Sequence, residues 1–396
     1  MGNLKNSINK IYHQYTKDIK KIVQKIHENP ELSEEETFAC KWQVKLLSEW
    51  GFDVETKYKG MDTAFNAVFG NDSPNICIMS EYDALPGIGH GCGHNLITGV
   101  ALGTGILLKE LIKENNLKGS VSIMGTPAEE RRGGKIDLIQ AGALKDVDIV
   151  LMAHPSDHAT SQSMEEAGIM QFSVGFKGRT AHAAAGPEKG LNALDAVRLL
   201  FNGVDAWRQQ LLESCRIHGI IKEGGKAPNI IPDYAMADFY IRSLDMDVLL
   251  SMKERFENIA RGAALMTDTR LIIKEIKNSY MPAKPNNELN KTFMELAREY
   301  DMNPQWLEPS RASSDFGDVT YEVPAIQVYF NITQNITDQD KKIALHSKEF
   351  TQCAASAFAI DQMEKTSKIL SQIGYKYLIQ EDFRQKVLAE FPFYKA

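Results

Sequence analysis

The sequence predicts an α/β protein in which a mixed, mainly parallel sheet is flanked by helices and carries an inserted α+β domain. Over residues 76–153 short apolar runs alternate with helical patterns, as they do in βαβ units. The order of elements changes from about residue 168, and the first rhythm returns after Pro282. The 396 residues, 43% of them hydrophobic, can fill two or three domains of roughly 150 residues each.

The N-terminal element is predicted to be an amphipathic helix that Pro30 ends. Its apolar residues recur at steps of three and four and therefore share one buried stripe. They are Ile8, Ile11, Tyr12, Tyr15, Ile19, Ile22, Val23 and Ile26. Ser33 followed by Glu36 has the spacing of a capping box, which predicts a second helix running towards Gly51.

The next segments predict the parallel sheet. Strands are expected over 76–79, 121–124 and 149–153, with helices near 96–111 and 136–144 between them. Ligands of such sheets collect beyond the carboxyl ends of the strands, so polar residues at those ends are candidates for a functional site. These residues are Asp83, Glu129, Glu130 and His154.

Residues 168–281 are predicted to form the inserted domain, between a first part of the main domain at 1–167 and a second part at 282–396. Their order of strand, helix, strand, strand, helix, strand is the ferredoxin-like plan, in which two helices pack on one antiparallel sheet. The second part is expected to contain a helix near 289–300, an apolar strand at 325–330 and a long helix from about Lys348.

Composition bears on the partners and the compartment. The 45 Lys and Arg residues against 52 Asp and Glu residues give a net charge of −7, so nucleic acid and membrane surfaces are not expected partners. The longest weakly polar stretch, Ile97 to Leu108, is shorter than the roughly 20 apolar residues of a membrane span. No secretory signal is recognised, and scattered cysteines indicate a reducing compartment, so a cytoplasmic protein is expected. The cysteines are Cys40, Cys77, Cys92, Cys215 and Cys353.

Metal-ligand chemistry is suggested by Cys92 and His94, two residues apart among glycines that let both side chains face one point. Thiolate and imidazole suit Zn²⁺ and its neighbours in the transition series. Each motif has a plainer alternative when taken alone: a buried cysteine beside a loop histidine, or two solvated glutamates. The other candidate ligands are Glu130, His154 and His346.

The number of candidates fits a dinuclear centre. Two ions that share Cys92 and a bridging water would each need two more ligands, and four candidates remain. A single structural zinc fits less well, because four ligands close it and leave Glu129 without a role. Adjacent residues of an extended segment point in opposite directions, so Glu130 could bind metal while Glu129 faces the substrate as general base and acid.

Five motifs in this order resemble the M20 family of peptidases and amidohydrolases. They are Asp83-Ala84-Leu85-Pro86, Gly91-Cys92-Gly93-His94-Asn95, Thr126-Pro127-Ala128-Glu129-Glu130, Ala153-His154-Pro155 and Gly178-Arg179-Thr180-Ala181-His182-Ala183-Ala184. The chain looks most like the aminoacylase-like and p-aminobenzoyl-glutamate hydrolase-like branch, in which a Cys replaces the usual bridging Asp. The likeness covers nearly the whole length and implies a zinc-exopeptidase-like catalytic domain with a ferredoxin-like lid.

The resemblance also implies the reaction and the remaining roles. It implies two divalent ions, with Zn first and Mn, Co or Ni as alternatives, and cleavage of amide bonds in N-acyl amino acids, aminobenzoyl-glutamate-like conjugates or short peptides. Asp83 would orient a ligand. His182 would reach the active site of the partner in a homodimer formed through the inserted domain, with pairing into tetramers left open. Asn229 and Arg242 would grip a substrate carboxylate.

The chain departs from the family pattern at three places. Asn95 stands where many relatives have Asp. Arg131 and Arg132 follow the glutamates where small residues are common, and they could bind an acidic substrate or point to solvent. The segment Ser313-Ser314-Asp315-Phe316-Gly317 has lost one acidic position of the family's late motif.

Three other functions remain open at this point. One is a peptidase of broader range, and another is a non-catalytic binding protein that keeps the fold and a metal. The third is a cysteine hydrolase with Cys92 as nucleophile and His94 as base, which would keep working in a chelator.

Overall fold

The computed structural model describes residues 2–276, 279–333 and 343–391. The chain divides into two compact units. The first unit comprises Met1–Met164, Lys284–Glu308 and Asp318–Ala396, and the second comprises Glu165–Ala283 and Pro309–Gly317.

The first unit is built on a mixed sheet of six strands in its described part. The strands are β1 (Asp53–Thr56), β2 (Phe65–Phe69), β3 (Asn75–Ser80), β4 (Ser120–Gly125), β5 (Ile149–Ser156) and β10 (Ala325–Asn331). Their order is β1-β2-β4-β3-β5-β10. The pairs β3 with β4, β3 with β5 and β5 with β10 are parallel. The pairs β1 with β2 and β2 with β4 are antiparallel. The predicted mixed, mainly parallel sheet is confirmed.

The antiparallel edge was not predicted. β1 is only four residues long, and its Asp-Val-Glu-Thr sequence has a single half-buried side chain, Val54. An edge strand that is exposed on both faces has no apolar period for a sequence pattern to detect.

Helices cover the sheet of the first unit. They are α1 (Gly2–Glu28), α2 (Thr37–Glu49), α3 (His94–Glu114), α4 (Gly134–Gln140), α7 (Asn287–Glu299), α9 (Lys348–Cys353), α10 (Ala357–Ile379) and α11 (Glu381–Ala389). A short helix, α8 (Phe316–Glu322), lies where the chain passes between the two units. The predicted stripe on α1 is buried except for half-buried Tyr15. The long helix expected from Lys348 is interrupted, because the Ser356 side chain accepts the Ala359 N–H and starts α10 afresh.

Helix α3 is the core helix of this unit. It is longer than the apolar stretch recognised in the sequence, and it is long and apolar enough to cross a membrane by length and composition. However, 94% of its apolar window is buried inside the protein. A helix that is apolar all round and buried among other elements is typical of a domain core.

The predicted capping box is wrong, although the second helix is present. Glu36 precedes α2 but makes no side-chain capping bond. The carboxylate of Glu31 caps the helix instead, accepting the N–H groups of Phe38 at 2.8 Å and Ala39 at 3.0 Å. Ser33 and Glu36 are both buried, and their side chains bond to residues far along the chain.

The second unit has the predicted ferredoxin-like order. Its elements are β6 (Gly168–Lys177), α5 (Ala193–Arg208), β7 (Arg216–Glu223), β8 (Tyr234–Ser243), α6 (Met246–Met266) and β9 (Arg270–Glu275). All paired strands are antiparallel, in the order β7-β8-β6-β9. Phe172 and Phe239 pack against Phe256 of α6 with ring centroids 5.1 Å apart, so one face of this sheet is the core of the unit.

Candidate metal centre

Five side chains of the first unit converge on one place. The sulfur of Cys92 lies 3.4 Å from Nε2 of His154 and 3.4 Å from Nε2 of His346. Ligand atoms of Cys92, His94 and His154 lie within 4.8 Å of one another, and so do those of Cys92, Glu130 and His346. The candidate ligands therefore form two triads that share the Cys92 sulfur.

Glycine geometry places Cys92 and His94. Gly93 has φ +77° and precedes the first residue of α3, which is His94. A Cβ at Gly93 would lie 2.9 Å from Cγ of Pro155, closer than real Cβ atoms approach. Only glycine satisfies both the backbone conformation and this close contact. The turn therefore brings the thiol and the imidazole together beside the end of β5.

The other two histidines are fixed by backbone contacts. Nδ1 of His154, at the carboxyl end of β5, donates to the carbonyl of Pro155 at 2.6 Å, which leaves the lone pair of Nε2 facing Cys92. Burial lowers the pKa of His154 to about 3, so the ring is neutral. His346 has φ +64°, and its N–H donates to the carbonyl of Gly91 at 3.0 Å. The two histidines thus present their Nε2 atoms to the same sulfur.

Glu129 and Glu130 follow β4 in a turn, and not in the extended segment that was expected. Ala128 has φ +62°, and its carbonyl accepts the N–H of Arg132 and the N–H of Gly133. Oxygen atoms of Glu129 and Glu130 and a ring nitrogen of His94 all lie within 4.8 Å of one another. The two carboxylates consequently approach the same histidine, so the opposed directions inferred from a strand are wrong.

Asp83 connects two of the candidate ligands. Its Oδ1 accepts Nδ1–H of His94 at 2.9 Å, and its Oδ2 accepts the backbone N–H of Glu130 at 3.0 Å and the hydroxyl of Ser33 at 2.7 Å. Burial raises the pKa of Asp83, but the hydrogen bonds from His94 and Ser33 outweigh it and hold the pKa at about 2. Asp83 is therefore an anion that fixes the ring of His94 and the backbone of Glu130.

A buried ion pair beside the centre was missed by sequence reasoning. Glu81 and Lys135 are at most 1% exposed, and Oε1 of Glu81 is hydrogen-bonded to Nζ of Lys135. Oε2 of Glu81 lies 3.4 Å from Nε2 of His94. The available signal was a charged residue at the carboxyl end of β3, two positions before Asp83, but no sequence pattern singles out its lysine partner on α4.

The donor set fits divalent transition-metal ions. Nε2 of His94 and Oε1 of Glu130 are buried and, in the part of the chain that the structure describes, neither has a hydrogen-bond partner. Sulfur, imidazole nitrogen and carboxylate oxygen are the ligand types that zinc takes in proteins. Burial raises the pKa of the Cys92 thiol well above its usual range, which is unlike the activated thiolate of a cysteine hydrolase.

The three predicted substrate-binding residues belong to the second unit. The N–H of Ala183, next to His182, donates to the carbonyl of Asn229 at 3.0 Å, and Asn229 is exposed. Nδ1 of His182 accepts the N–H groups of Ala184 and Ala185 at 3.2 and 3.1 Å, so its proton is on Nε2, which is a donor.

Arg242 lies elsewhere in that unit, on β8. Its guanidinium donates to the hydroxyl of Ser313 at 2.8 Å and to the carbonyl of Arg311 at 3.3 Å. Arg242 therefore contacts the late Ser313-to-Gly317 motif, and Nη1 of its guanidinium already donates hydrogen bonds within the protein.

Two residues that depart from the family pattern, Arg132 and Asn95, bond to neighbouring parts of the chain. Arg132 bonds to Glu34 and Asp137, each at 2.6 Å, so it is committed to neighbouring carboxylates. The side-chain amide of Asn95 is buried and donates to the carbonyl of Ala354 at 3.0 Å, which ties α3 to the end of α9.

Comparison with known proteins identifies the family of this chain. The model of peptidase family M20/M25/M40 matches residues 77–373. The human Xaa-Arg dipeptidase is 38% identical over 332 residues, which are 80% of this chain and 74% of that protein. One of the p-aminobenzoyl-glutamate hydrolase polypeptides of Escherichia coli (strain K12) is 32% identical over 305 residues, which are 72% of this chain and 63% of that protein.

A solved structure shows the same fold. A dinuclear metal binding peptidase of the M20 family from Bacillus subtilis superposes with a TM-score of 0.68 and 19% identity, covering 91% of this chain and 99% of that one. The chain therefore belongs to peptidase family M20/M25/M40, and it is a metal-dependent hydrolase of the peptidase and amidohydrolase class.

Proposed function

We propose that the chain hydrolyses the amide bond of dipeptides and of N-acyl or aminobenzoyl amino acids at a centre of two divalent ions. The observation that carries the proposal is the pair of triads that share the Cys92 sulfur. One ion would be held by Cys92, His94 and His154, and the other by Cys92, Glu130 and His346. Each triad supplies three ligands, so a four-coordinate ion would have one position left for a water or a substrate oxygen.

The bound ions would polarise the scissile carbonyl and supply an activated water at neutral pH. Zinc is the proposed resident ion, because a thiolate with imidazoles suits it, and manganese, cobalt and nickel are the alternatives to compare. Asp83 supports this centre by fixing the tautomer of His94, so that Nε2 keeps its lone pair for an ion.

Glu129 is the proposed general base and acid. A carboxylate oxygen of Glu129 would take the proton of the attacking water, hold it, and deliver it to the amide nitrogen as the C–N bond breaks. Its position supports the role, since an oxygen of Glu129 lies within 4.8 Å of the His94 ring and of a Glu130 oxygen.

Substrate binding is proposed for the second unit. The Nε2–H of His182 is a donor suited to a developing oxyanion. The neighbouring Asn229 and the guanidinium of Arg242, whose Nη1 already donates to Ser313, offer donors to a carboxylate. We propose that the chain forms a homodimer through this unit, so that His182 serves the partner's centre. The names of the two relatives specify an Xaa-Arg dipeptide and p-aminobenzoyl-glutamate, so a free carboxylate next to the cleaved bond is the shared substrate feature that we propose.

A cytoplasmic location is proposed as well. All five cysteines are unpaired and buried, as expected for a protein of a reducing compartment.

A chelation experiment tests the function. Purified protein is stripped with a chelator, reloaded with Zn²⁺, Mn²⁺, Co²⁺ or Ni²⁺, and assayed for free amine on Xaa-Arg and Xaa-Glu dipeptides, N-acetyl amino acids and p-aminobenzoyl-glutamate. We expect two ions per chain, no activity after stripping, and recovery on reloading. Activity that survives the chelator would indicate a Cys92 hydrolase, and a reloaded protein that cleaves no amide would indicate a binding protein.

A further inference from the structure

We propose that Glu36 is a positioning residue of the active site, which holds Ala128 in its left-handed conformation and so fixes Glu129 and Glu130 beside His94. The geometry of the turn stands by itself. Only the chemical consequence rests on the proposed function, because that function assigns proton transfer to Glu129 and metal binding to Glu130.

Two hydrogen bonds join Glu36 to distant parts of the chain. Its Oε1 accepts the backbone N–H of Ala128 at 2.8 Å, across 92 positions, and its Oε2 accepts the hydroxyl of Thr63 at 3.0 Å. The side chain is fully buried. Because Glu31 caps α2, the carboxylate of Glu36 is not needed at the helix start. A buried carboxylate that accepts a backbone N–H 92 positions away is difficult to explain as helix chemistry.

The N–H that Glu36 accepts belongs to a residue in a disfavoured conformation. Ala128 has φ +62°, a region that residues with a Cβ rarely adopt unless the surroundings impose it. The turn after it is held as well, since the Ala128 carbonyl accepts the N–H groups of Arg132 and Gly133. A Cβ at Gly134 would lie 2.0 Å from the carbonyl oxygen of Pro127, so the chain returns on itself too closely for any other residue. Glu36 therefore holds the start of this turn through the N–H of Ala128, and the Ala128 carbonyl holds its end.

The turn decides where the carboxylates point. Glu129 and Glu130 follow Ala128 directly, and the N–H of Glu130 is fixed by Asp83 at 3.0 Å. If Ala128 relaxed to negative φ, Glu129 and Glu130 would rotate away from the His94 ring. A displacement of 1 Å at a catalytic group can reduce the rate by about 10²-fold. The expected effect of losing Glu36 is therefore on the chemical step and on the ion held by Glu130, with substrate affinity largely kept.

The test compares Glu36→Ala with Glu36→Gln and Thr63→Val in the metal-loaded protein. Glu36→Ala is expected to lower kcat roughly 10- to 100-fold with KM within about threefold, since only positioning is lost. Glu36→Gln keeps an amide oxygen for the Ala128 N–H and is expected to retain at least about a third of kcat. Thr63→Val removes the other hydrogen bond of Glu36 and keeps the one to Ala128, so kcat should fall less in this variant than in Glu36→Ala. If Glu36→Ala does not fold, Glu36→Asp, whose shorter side chain withdraws from Ala128, takes its place with the same expectation.

A second background isolates the mechanism. Glycine adopts the left-handed conformation without the Cβ penalty, so Ala128→Gly added to Glu36→Ala should restore several-fold of the lost kcat. A Glu36 that serves only the stability of the core would give no such rescue. Absence of rescue, equal losses in Glu36→Gln and Glu36→Ala, or a wild-type kcat in Glu36→Ala would each overturn the proposal.

Two readouts do not depend on turnover. Hydrogen exchange of the peptide that contains Ala128, followed by mass spectrometry, should be faster in Glu36→Ala than in wild type and Thr63→Val. Cobalt titration should show one of the two ions bound roughly tenfold more weakly in Glu36→Ala, because Glu130 is no longer held. If reloaded wild type cleaves no amide, the proposed function fails, but these two measurements still decide the role of Glu36: unchanged exchange and unchanged cobalt binding would refute it.

Discussion

Oδ1 of Asp83 lies 2.9 Å from Nδ1 of His94, and neither side chain is exposed beyond 1%. The other oxygen of this carboxylate accepts the N–H of Glu130. One anion thus orients a ligand proposed for one metal ion and the backbone of a ligand proposed for the other. We therefore expect a change at Asp83 to disturb both halves of the proposed centre, which couples them.

Asp83→Asn should weaken metal binding by about 10- to 100-fold, because an amide cannot supply the negative charge that stabilises the proton on Nδ1 of His94. Competition titration against a chromophoric chelator measures this loss. Ser33→Ala is the matched control, since it removes the hydroxyl bond to Asp83 and leaves the carboxylate on His94 and Glu130. Equal metal affinities for Asp83→Asn and wild type would contradict the coupling.

Glu129→Gln should reduce kcat by at least about 10²- to 10⁴-fold, because the amide cannot accept the proton of the attacking water. Metal content, measured by elemental analysis, is expected to stay at two ions per chain, since Glu129 is not among the proposed ligands. Glu130→Gln is the contrasting variant and should lose metal as well as activity. A metal-replete Glu129→Gln protein with full activity would remove this residue from the reaction.

The Cys92 sulfur is the shared atom of both triads, so its replacement should affect both ions. Cys92→Ala is expected to bind neither ion tightly, whereas Cys92→Asp keeps an anionic ligand and should recover binding of both. Cobalt-loaded wild type should show a thiolate-to-cobalt charge-transfer absorption that is absent from Cys92→Asp. Retention of that absorption in Cys92→Asp would place a different cysteine at the centre.

The first unit shows how far sequence periodicity extends. The stripe on α1 and the strands β3, β4 and β5 were predictable because each carries a regular apolar pattern over several residues. Strand β1 was not predictable, because it is short and exposed. Pattern reasoning therefore finds the strands that carry a continuous apolar run, including β10 at one edge of the sheet, and misses β1 and β2 at the other edge.

The candidate ligands could be found because each is a metal-binding residue type at a strand end or a glycine turn. The residues behind them could not. Ser33 and Glu36 match a capping box by spacing, yet Ser33 bonds to Asp83 and Glu36 bonds to Ala128. Spacing in the sequence reports local partners only, and these two side chains have partners 50 and 92 positions away. Such bonds become visible only in three dimensions.

Lys135→Met should destabilise the fold by about 3–5 kcal/mol, because the carboxylate of Glu81 would remain buried without its lysine. Both side chains are at most 1% exposed. Urea unfolding of the metal-free protein measures the change. The double variant Lys135→Met with Glu81→Gln also removes the carboxylate charge that has lost its lysine and should recover a large part of the loss, whereas additive losses would show that the two residues act independently.

Glu36 gives a prediction on pH that is independent of catalysis. Burial raises the pKa of Glu36 from its ordinary 4.5 to about 7. The charge of Asp83 also raises this pKa, whereas backbone N–H groups lower it. Between pH 4.5 and 7 the folded chain therefore holds this proton and the unfolded chain does not, so the contribution of Glu36 to the free energy of unfolding falls as the pH rises through that window. Glu36→Gln lacks the titrating group, and its stability relative to wild type should increase with pH by roughly 3 kcal/mol and level off above about pH 7. Urea unfolding of both proteins from about pH 5 to 8 tests this prediction. If the free energies of unfolding of the two proteins stay parallel across this range, the buried carboxylate remains ionised through its bonds to Ala128 and Thr63.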